Sequence, residues 1–470
     1  MSYNGDPKTA PLDVSEDVVA DLTRPSQLTS NYSQRISTDI REPVVFSQDF
    51  CRFSLDRKGF LSHHSKIAFS VKPADGKSSA FFPIGLGVNS LIDRVVLKVG
   101  NRTIAETQEF AMLQAYRSIF KTNEENRERE QFLTQRLINH RAVYEDDPAN
   151  FDTSTDAPTI GLDFGRAYKG SDMSLLPFAR MDGTNATTKA ESPVYSIYLG
   201  DLFDIFSNQD LPLFMMDDEV HIELHFTPLT GDKRVSINND VVAGGQFEID
   251  QSETRMIYDT IYYSGDAMET FRKKADSKGG MTFEYTDYRL TRRTDTKADA
   301  FKDITQSLGG AGRFVDKVII RIGNDLEDKS KTLLNSLYSQ APPAGTERTI
   351  NLRYNDRFDF PIDRSNSALL FSTMREAEGD TPFITRQEYG REEANVLSVR
   401  TLEKHQVRGN LGGGFNWLAL RPNREERINN QGIDLIYKNP MPTESLTLMC
   451  WIGLRKIATL KDGHFDCYFA

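Results

Sequence analysis

The chain reads LIDRVVLKVGN over Leu91–Asn101 and, about two hundred residues later, FVDKVIIRIGN over Phe314–Asn324. Asp, Val, Gly and Asn recur unchanged at four aligned positions. The remaining seven positions exchange like for like: Arg94 for Lys317, Lys98 for Arg321, Val99 for Ile322. In the first stretch Val95, Leu97 and Val99 alternate with Arg94 and Lys98. In the second, Val318, Ile320 and Ile322 alternate with Lys317 and Arg321. A period of two is a β-strand with one face buried, and the closing Gly-Asn is a turn signal. The first reading is therefore one sided strand built twice, with the apolar residues inward and the cations outward.

Further echoes follow in the same order. After the first stretch comes TQEFAMLQAYRSIF, in which Thr107 is placed to cap a helix carrying Phe110, Leu113, Tyr116 and Phe120 on one side. KTLLNSLYSQ follows the second stretch. HIELHF (His221–Phe226) is matched by GIDLIY (Gly432–Tyr437), and each precedes an apolar run, TRMIYDTIYY or LTLMCWIGL. A shared order of features at long spacing is the mark of a duplicated unit. The expected division is an arm over 1–41, a first β domain over 42–265 and a second over 266–470. The junction falls at SGDAMETFRKKADSKGG, a short helix with a glycine exit. Within the arm, VSEDVVADL places Val14, Val18, Val19 and Leu22 at helical spacing. Long polar excursions such as KTNEENREREQ and HRAVYEDDPANFDTSTDAPT separate the strands, and loops of that length usually serve contact or binding.

Composition narrows the classes of function. Hydrophobic residues make 38% and charged ones 27%, the balance of a globular protein and not of a disordered one. A net charge of −11 argues against a surface built to hold nucleic acid. Cys51, Cys450 and Cys467 supply no disulfide framework and no CxxC spacing. MSYNGDPKTAPLDV lacks the basic and apolar segments of a secretory signal, and LTLMCWIGL is about half the span of a membrane helix.

One cluster invites a catalytic reading. On a strand, His221, Glu223 and His225 share a face, and two imidazoles with a carboxylate could ligate iron or zinc, as in metal-bearing jelly rolls of the cupin kind. The second copy has Gly432 and Ile436 where the histidines stand, keeping only Asp434, so the expected site inventory is no metal, no cofactor and no catalytic residue. His63 and His64 are strand neighbours that face opposite ways. SLGGAGRF and GNLGGGFNW lack the ending of a phosphate loop and are expected as tight turns. RLTRRTDTK is the densest basic patch and is expected at solvent or at a subunit contact.

The whole pattern resembles the double-jelly-roll major capsid proteins of double-stranded DNA viruses, most closely those of polinton-like viruses and virophages. The resemblance rests on LIDRVVLKVGNRTIAE…FAMLQAYRSIF, on PVYSIYLGDLFDIFSNQDLPLFMMDDEVHIELHF and on RYNDRFDFPIDRSNSALLFS, and it covers roughly residues 42–470. It implies an all-β chain of two tandem eight-stranded jelly rolls, a few short helices and long inter-strand loops. It further implies a homotrimeric, pseudo-hexagonal capsomer tiling an icosahedral virion shell, with neighbouring capsomers, penton and minor capsid proteins as partners. Loops would form outer towers, and the arm would reach inward toward neighbours or an internal membrane. Assembly inside the host cell, in cytoplasm or nucleus, follows from the same resemblance. Asp13, Glu16, Asp17 and Asp21 make the arm acidic, so no direct nucleic-acid contact is expected. The alternative is a glycan-binding β-sandwich surface protein, which would call for aromatics on loops; Trp417 and Trp451 both sit in strand-like runs.

Overall fold

In the computed structural model the described residues are 34–73, 79–81, 87–119, 133, 178–180, 194–207, 209–227, 237–238, 247–295, 303–324, 349–358, 362–363, 372–373, 376–377, 417–422, 426–438 and 446–470. The arm helix over VSEDVVADL, Phe120, KTLLNSLYSQ and GNLGGG lie outside them.

The first half supplies strands β1 (Gln34–Arg41), β2 (Val45–Ser47), β3 (Phe50–Leu55), β4 (Phe60–Leu61), β5 (Lys66–Pro73), β6 (Ser79–Phe81), β7 (Ile92–Val99), β8 (Arg102–Gln108), β9 (Phe178–Arg180), β10 (Val194–Tyr198), β11 (Val220–Phe226), β12 (Ile237–Asn238) and β13 (Phe247–Tyr263). Helices α1 (Phe110–Ile119), α2 (Leu199–Leu202) and α3 (Gly265–Ala275) interrupt and end it. The second half supplies β14 (Met281–Asp295), β15 (Ile304–Gly309), β16 (Val315–Asn324), β17 (Thr349–Tyr354), β18 (Arg357–Phe358), β19 (Ile362–Asp363), β20 (Trp417–Leu420), β21 (Ile433–Tyr437), β22 (Leu446–Lys461) and β23 (His464–Phe469).

Each half folds two antiparallel sheets face to face. In the first half the sheets run β1-β13-β5-β10 and β2-β3-β11-β7-β8; in the second they run β14-β22-β16-β20 and β15-β21-β17-β18. Setting aside the short accessory strands, eight strands appear in the same chain order and the same sheet order in both halves. That is a jelly roll built twice. Alternation fills the first core from both sheets: Phe53, Ile222, Leu224, Val95 and Leu97 meet Ile67, Phe69, Met256 and Tyr258. Short strands β6, β9 and β12 come from three different excursions and pair into one small sheet. Segments of the connections that follow β5, β8 and β11 therefore meet in one sheet.

The two stretches that open the sequence are not equivalent. Leu91–Asn101 contains β7, between β11 and β8, whereas Phe314–Asn324 contains β16, between β22 and β20, the place that β5 holds in the first roll. Gly100 turns the β7–β8 hairpin at φ +56°, but Gly323 and Asn324 stay inside β16, opposite Thr447 and Leu446. The counterpart of β7–β8 is β17–β18, whose turn is Asn355-Asp356, both at positive φ. Two apolar strands at different places in their sheets carry one sequence pattern. The genuine echoes are HIELHF with GIDLIY (β11 and β21) and the long strands β13 and β22.

Three other expectations change. Arg321 was placed outward but is buried, as is Ile319, so β16 is covered on both sides. Thr107 is a buried residue of β8 and caps nothing; α1 begins after Glu109, whose carbonyl accepts from the Met112 and Leu113 N–H groups. Strand structure also starts within the stretch assigned to the arm. Gln34–Arg41 pairs along its full length with Met256–Tyr263, a strand that its polar content concealed.

Candidate assembly interface

On β11 the three residues do share a face, and each is already engaged. Glu223 is buried and ion-paired with Lys98 of β7, Oε2 to Nζ 2.8 Å. His225 Nε2 accepts from Arg94 Nη2 at 3.0 Å and packs on Phe50, ring centroids 4.9 Å apart. Because a guanidinium only donates, this contact needs a neutral imidazole. Burial, then Arg94, hold His225 below the usual imidazole range, with Glu223 pulling the other way. His221 Nδ1 lies 3.0 Å from Ser54 Oγ. The face is a cross-strand ladder, and in the second roll Arg353 of β17 pairs with Asp434 of β21 in the same style. Among the described residues, no group of three or more His, Cys, Asp or Glu side chains is placed to hold a metal ion. His63 and His64 lie in a turn and not on a strand, their ring centroids 4.0 Å apart, and the ring Nδ1 and backbone N of His63 both lie 2.9 Å from Asp210 Oδ1.

The richer chemistry lies at the seam between the rolls. Strand β8 ends its sheet, so its outward backbone groups have no strand partner. Side chains from the second roll take that role. Tyr285 Oη and Lys456 Nζ both donate to the Ile104 carbonyl, at 2.8 and 2.9 Å. Asp287 Oδ1 accepts from the Glu106 N–H at 3.2 Å, and Trp451 Nε1 donates to the Gln108 carbonyl at 3.0 Å. Lys456 and Asp287 pair with each other at 2.8 Å, both almost fully buried. Burial pushes the Asp287 carboxyl up, while Lys456 and the Glu106 N–H pull it back down.

Packing joins the rolls as well. Met281, Phe283 and Tyr285 of β14, Ala458 and Leu460 of β22 and Phe465 of β23 belong to the first core. Met112, Leu113 and Tyr116 of α1 belong to the second. At the β22–β23 turn, the Gly463 carbonyl accepts from the Asp217 N–H at 2.8 Å. Gly463 sits at φ +82°, and a Cβ there would collide with the Asp217 carboxylate. The seam is thus part of the fold itself, with a buried ion pair at its centre.

Sequence reasoning overlooked these residues, although a signal existed. In MTFEYTDYRL, Met281, Phe283 and Tyr285 alternate on one side and Asp287 breaks the series; in LRKIATL, Lys456 breaks Leu454, Ala458 and Leu460. One acid and one base at apolar positions of two strands are what a buried pair looks like in sequence. RLTRRTDTK mostly continues β14, and Arg292 reaches Glu109 of the first half at 3.6 Å. Trp451 is fully buried, and Trp417 lies in β20.

Two other edges, β1 and β18, have no strand on their outer side among the described residues. Ile36 and Ile40 of β1 are 59% and 61% exposed, and Val44, just before β2, 65%. Phe358 of β18 is 62% exposed.

No family model matches the chain, and no curated protein matches it in sequence. Solved structures match it in fold. A chain of the Sputnik virophage, from its 3.5 Å cryo-EM structure, gives a TM-score of 0.54 at 10% identity, over 100% of this chain and 93% of that one. A chain of the quasi-atomic model of the PBCV-1 virus capsid gives 0.50 at 12% identity, over 93% and 97%. The mavirus major capsid protein gives 0.48 at 10% identity, over 92% and 90%. At such identities the likeness to the first two is one of fold, a double jelly roll, over 93% or more of the chain.

Proposed function

We propose that this chain is the major capsid protein of a DNA virus, a structural subunit and not an enzyme. Three copies form a pseudo-hexagonal capsomer of six jelly rolls, and capsomers tile an icosahedral shell with penton and minor capsid proteins. The protein then resides in the virion capsid after assembly in the host cell. Support comes from one observation above the rest: two jelly rolls fused by a buried, polar-satisfied seam, with the two outer edges left apolar and bare. A shell subunit needs fixed contacts repeated by symmetry, and a rigid two-roll body with free edges supplies them. Contacts that hold the trimer should be large and apolar, those between trimers smaller and more polar.

The division into an arm, a first roll over 42–265 and a second over 266–470 belongs to this proposal, with β1 moved from the arm to the first roll. The acidic arm would work by contact with protein or membrane and not with nucleic acid. The test is mass in solution. Light scattering on a sizing column should give three times the chain mass of 53.3 kDa, persisting on dilution. A monomer at every concentration would overturn the capsomer. Removing residues 1–33 should leave the trimer whole and impair shell assembly; loss of the trimer would place the arm in the capsomer core instead.

A further inference from the structure

Strand correspondence between the rolls carries a second conclusion. Within the chain, the free edge of the first roll, β8, is closed by β14, the first strand of the second roll, together with its neighbours β22 and β23. The same two positions exist once more: β18 stands where β8 does, and β1 stands where β14 does. Among the described residues, β1 is paired on one side only, to β13, and β18 on one side only, to β17.

Of the exposed large apolar side chains among the described residues, Ile36, Ile40 and Phe358 fall at those places, and Val44, Val45, Val194 and Tyr468 lie elsewhere. Directly opposed residues in an antiparallel pair share a face. Ile36 stands opposite the buried Ile261 and Ile40 opposite Ile257, and between them Thr38 Oγ1 donates to Asp259 Oδ1 at 2.6 Å, so the exposed apolar groups on this face are the two isoleucines of β1. On the other edge Phe358 projects beside Arg357, whose guanidinium lies 5.8 Å from the Tyr354 ring and pairs with Glu426. Single exposed apolar residues need no explanation, but an eight-residue edge strand carrying two isoleucines invites pairing.

We infer that the β17–β18 edge of one copy, through Phe358, docks on β1 of a second copy through Ile36 and Ile40. The contact repeats between chains the one that β8 and β14 make within a chain. The inference rests on the proposed capsomer and names the surface that closes it. The joined surfaces are different from each other, so the contact is head-to-tail; such contacts close into a ring when the rotation allows.

Two variants test it: Ile36→Asp with Ile40→Asp on one edge, and Phe358→Asp on the other. All three residues are mostly exposed, so each variant should keep the wild-type circular dichroism spectrum. In sedimentation equilibrium each alone should fall from three chain masses to one. Mixed at equal concentration they should form a dimer and nothing larger. The double-Asp variant still offers its Phe358 edge, and the Phe358 variant still offers β1. A trimeric wild type with variants of unchanged mass would overturn this contact and leave the capsomer standing. So would a mixture that stays at one chain mass. A monomeric wild type would instead remove the capsomer, and this contact with it.

Discussion

Strands β8 and β18 occupy the same position in the two rolls and meet opposite fates. The first runs seven residues, buries Ile104, Ala105 and Thr107, and has its backbone groups satisfied by Tyr285, Asp287, Trp451 and Lys456. The second runs two residues, both exposed. The fold alone therefore does not decide whether an edge is open. What closes β8 is a set of polar side chains at positions of β14 and β22 where alternation would place apolar ones. Specificity at an edge comes from matching orphan backbone groups to donors and acceptors, and apolar packing then surrounds the match.

The comparison breaks most directly at Lys456. Replacing it with Met leaves the Asp287 carboxylate buried without a cation and should cost about 3–5 kcal/mol. Urea denaturation of the purified protein measures it. Adding Asp287→Leu removes the second charge and should restore most of the loss, although the Glu106 N–H then lacks its acceptor. If the double variant is no better than the single one, the seam depends on shape and backbone satisfaction more than on charge.

Trp451 comes next. Trp451→Phe removes the donor to the Gln108 carbonyl and shrinks a fully buried side chain, an expected cost of about 2–3 kcal/mol in the same assay. A smaller loss would mean that water reaches β8 from the second core. Tyr285→Phe should matter less, about 0.5–1 kcal/mol, because Lys456 still donates to the Ile104 carbonyl. If Tyr285→Phe costs as much as Trp451→Phe, the two donors at Ile104 are not interchangeable.

Much of this was legible from the residues, and the failures have physical causes. The all-β character and the strands HIELHF and GIDLIY follow from period-two alternation, the duplication from the shared order of features, and LTLMCWIGL reads as a continuous apolar run, buried on both faces of β22. The identity of the repeated strand did not follow. Aliphatic strands with two cations at the same spacing look alike wherever they sit, and only pairing partners separate β7 from β16. The outward assignment of Arg321 failed for a related reason: alternation shows which face is apolar, not whether the other face is also covered. The eight residues of β1 were hidden because Arg35, Ser37, Thr38 and Asp39 dilute its isoleucines. The histidine face on β11 was placed correctly as a group, but its partners Arg94, Lys98 and Ser54 come from two other strands, and a sequence does not show strand neighbours.

The smallest effect sharpens the contrast between the buried seam and the half-buried ladder on β11. Folded His225 sits below the usual imidazole range, through burial and Arg94, with Lys98 adding and Glu223 opposing. As pH falls through the unfolded value of about 6.5, the unfolded chain takes up its proton first. Between that value and the lower folded one, the unfolded state binds more protons, so stability falls with pH. Above the window His225 is neutral in both states and adds no slope. His225→Gln keeps an acceptor for Arg94 and removes the titration. Wild type and variant should therefore show the same pH dependence above neutrality, and the wild type should lose more stability between about pH 7 and about pH 5. Urea midpoints across that range read the difference. Equal slopes would mean that Arg94 swings off the ring on protonation and that Glu223 holds the imidazolium, which would make the ladder adaptable where the seam is fixed.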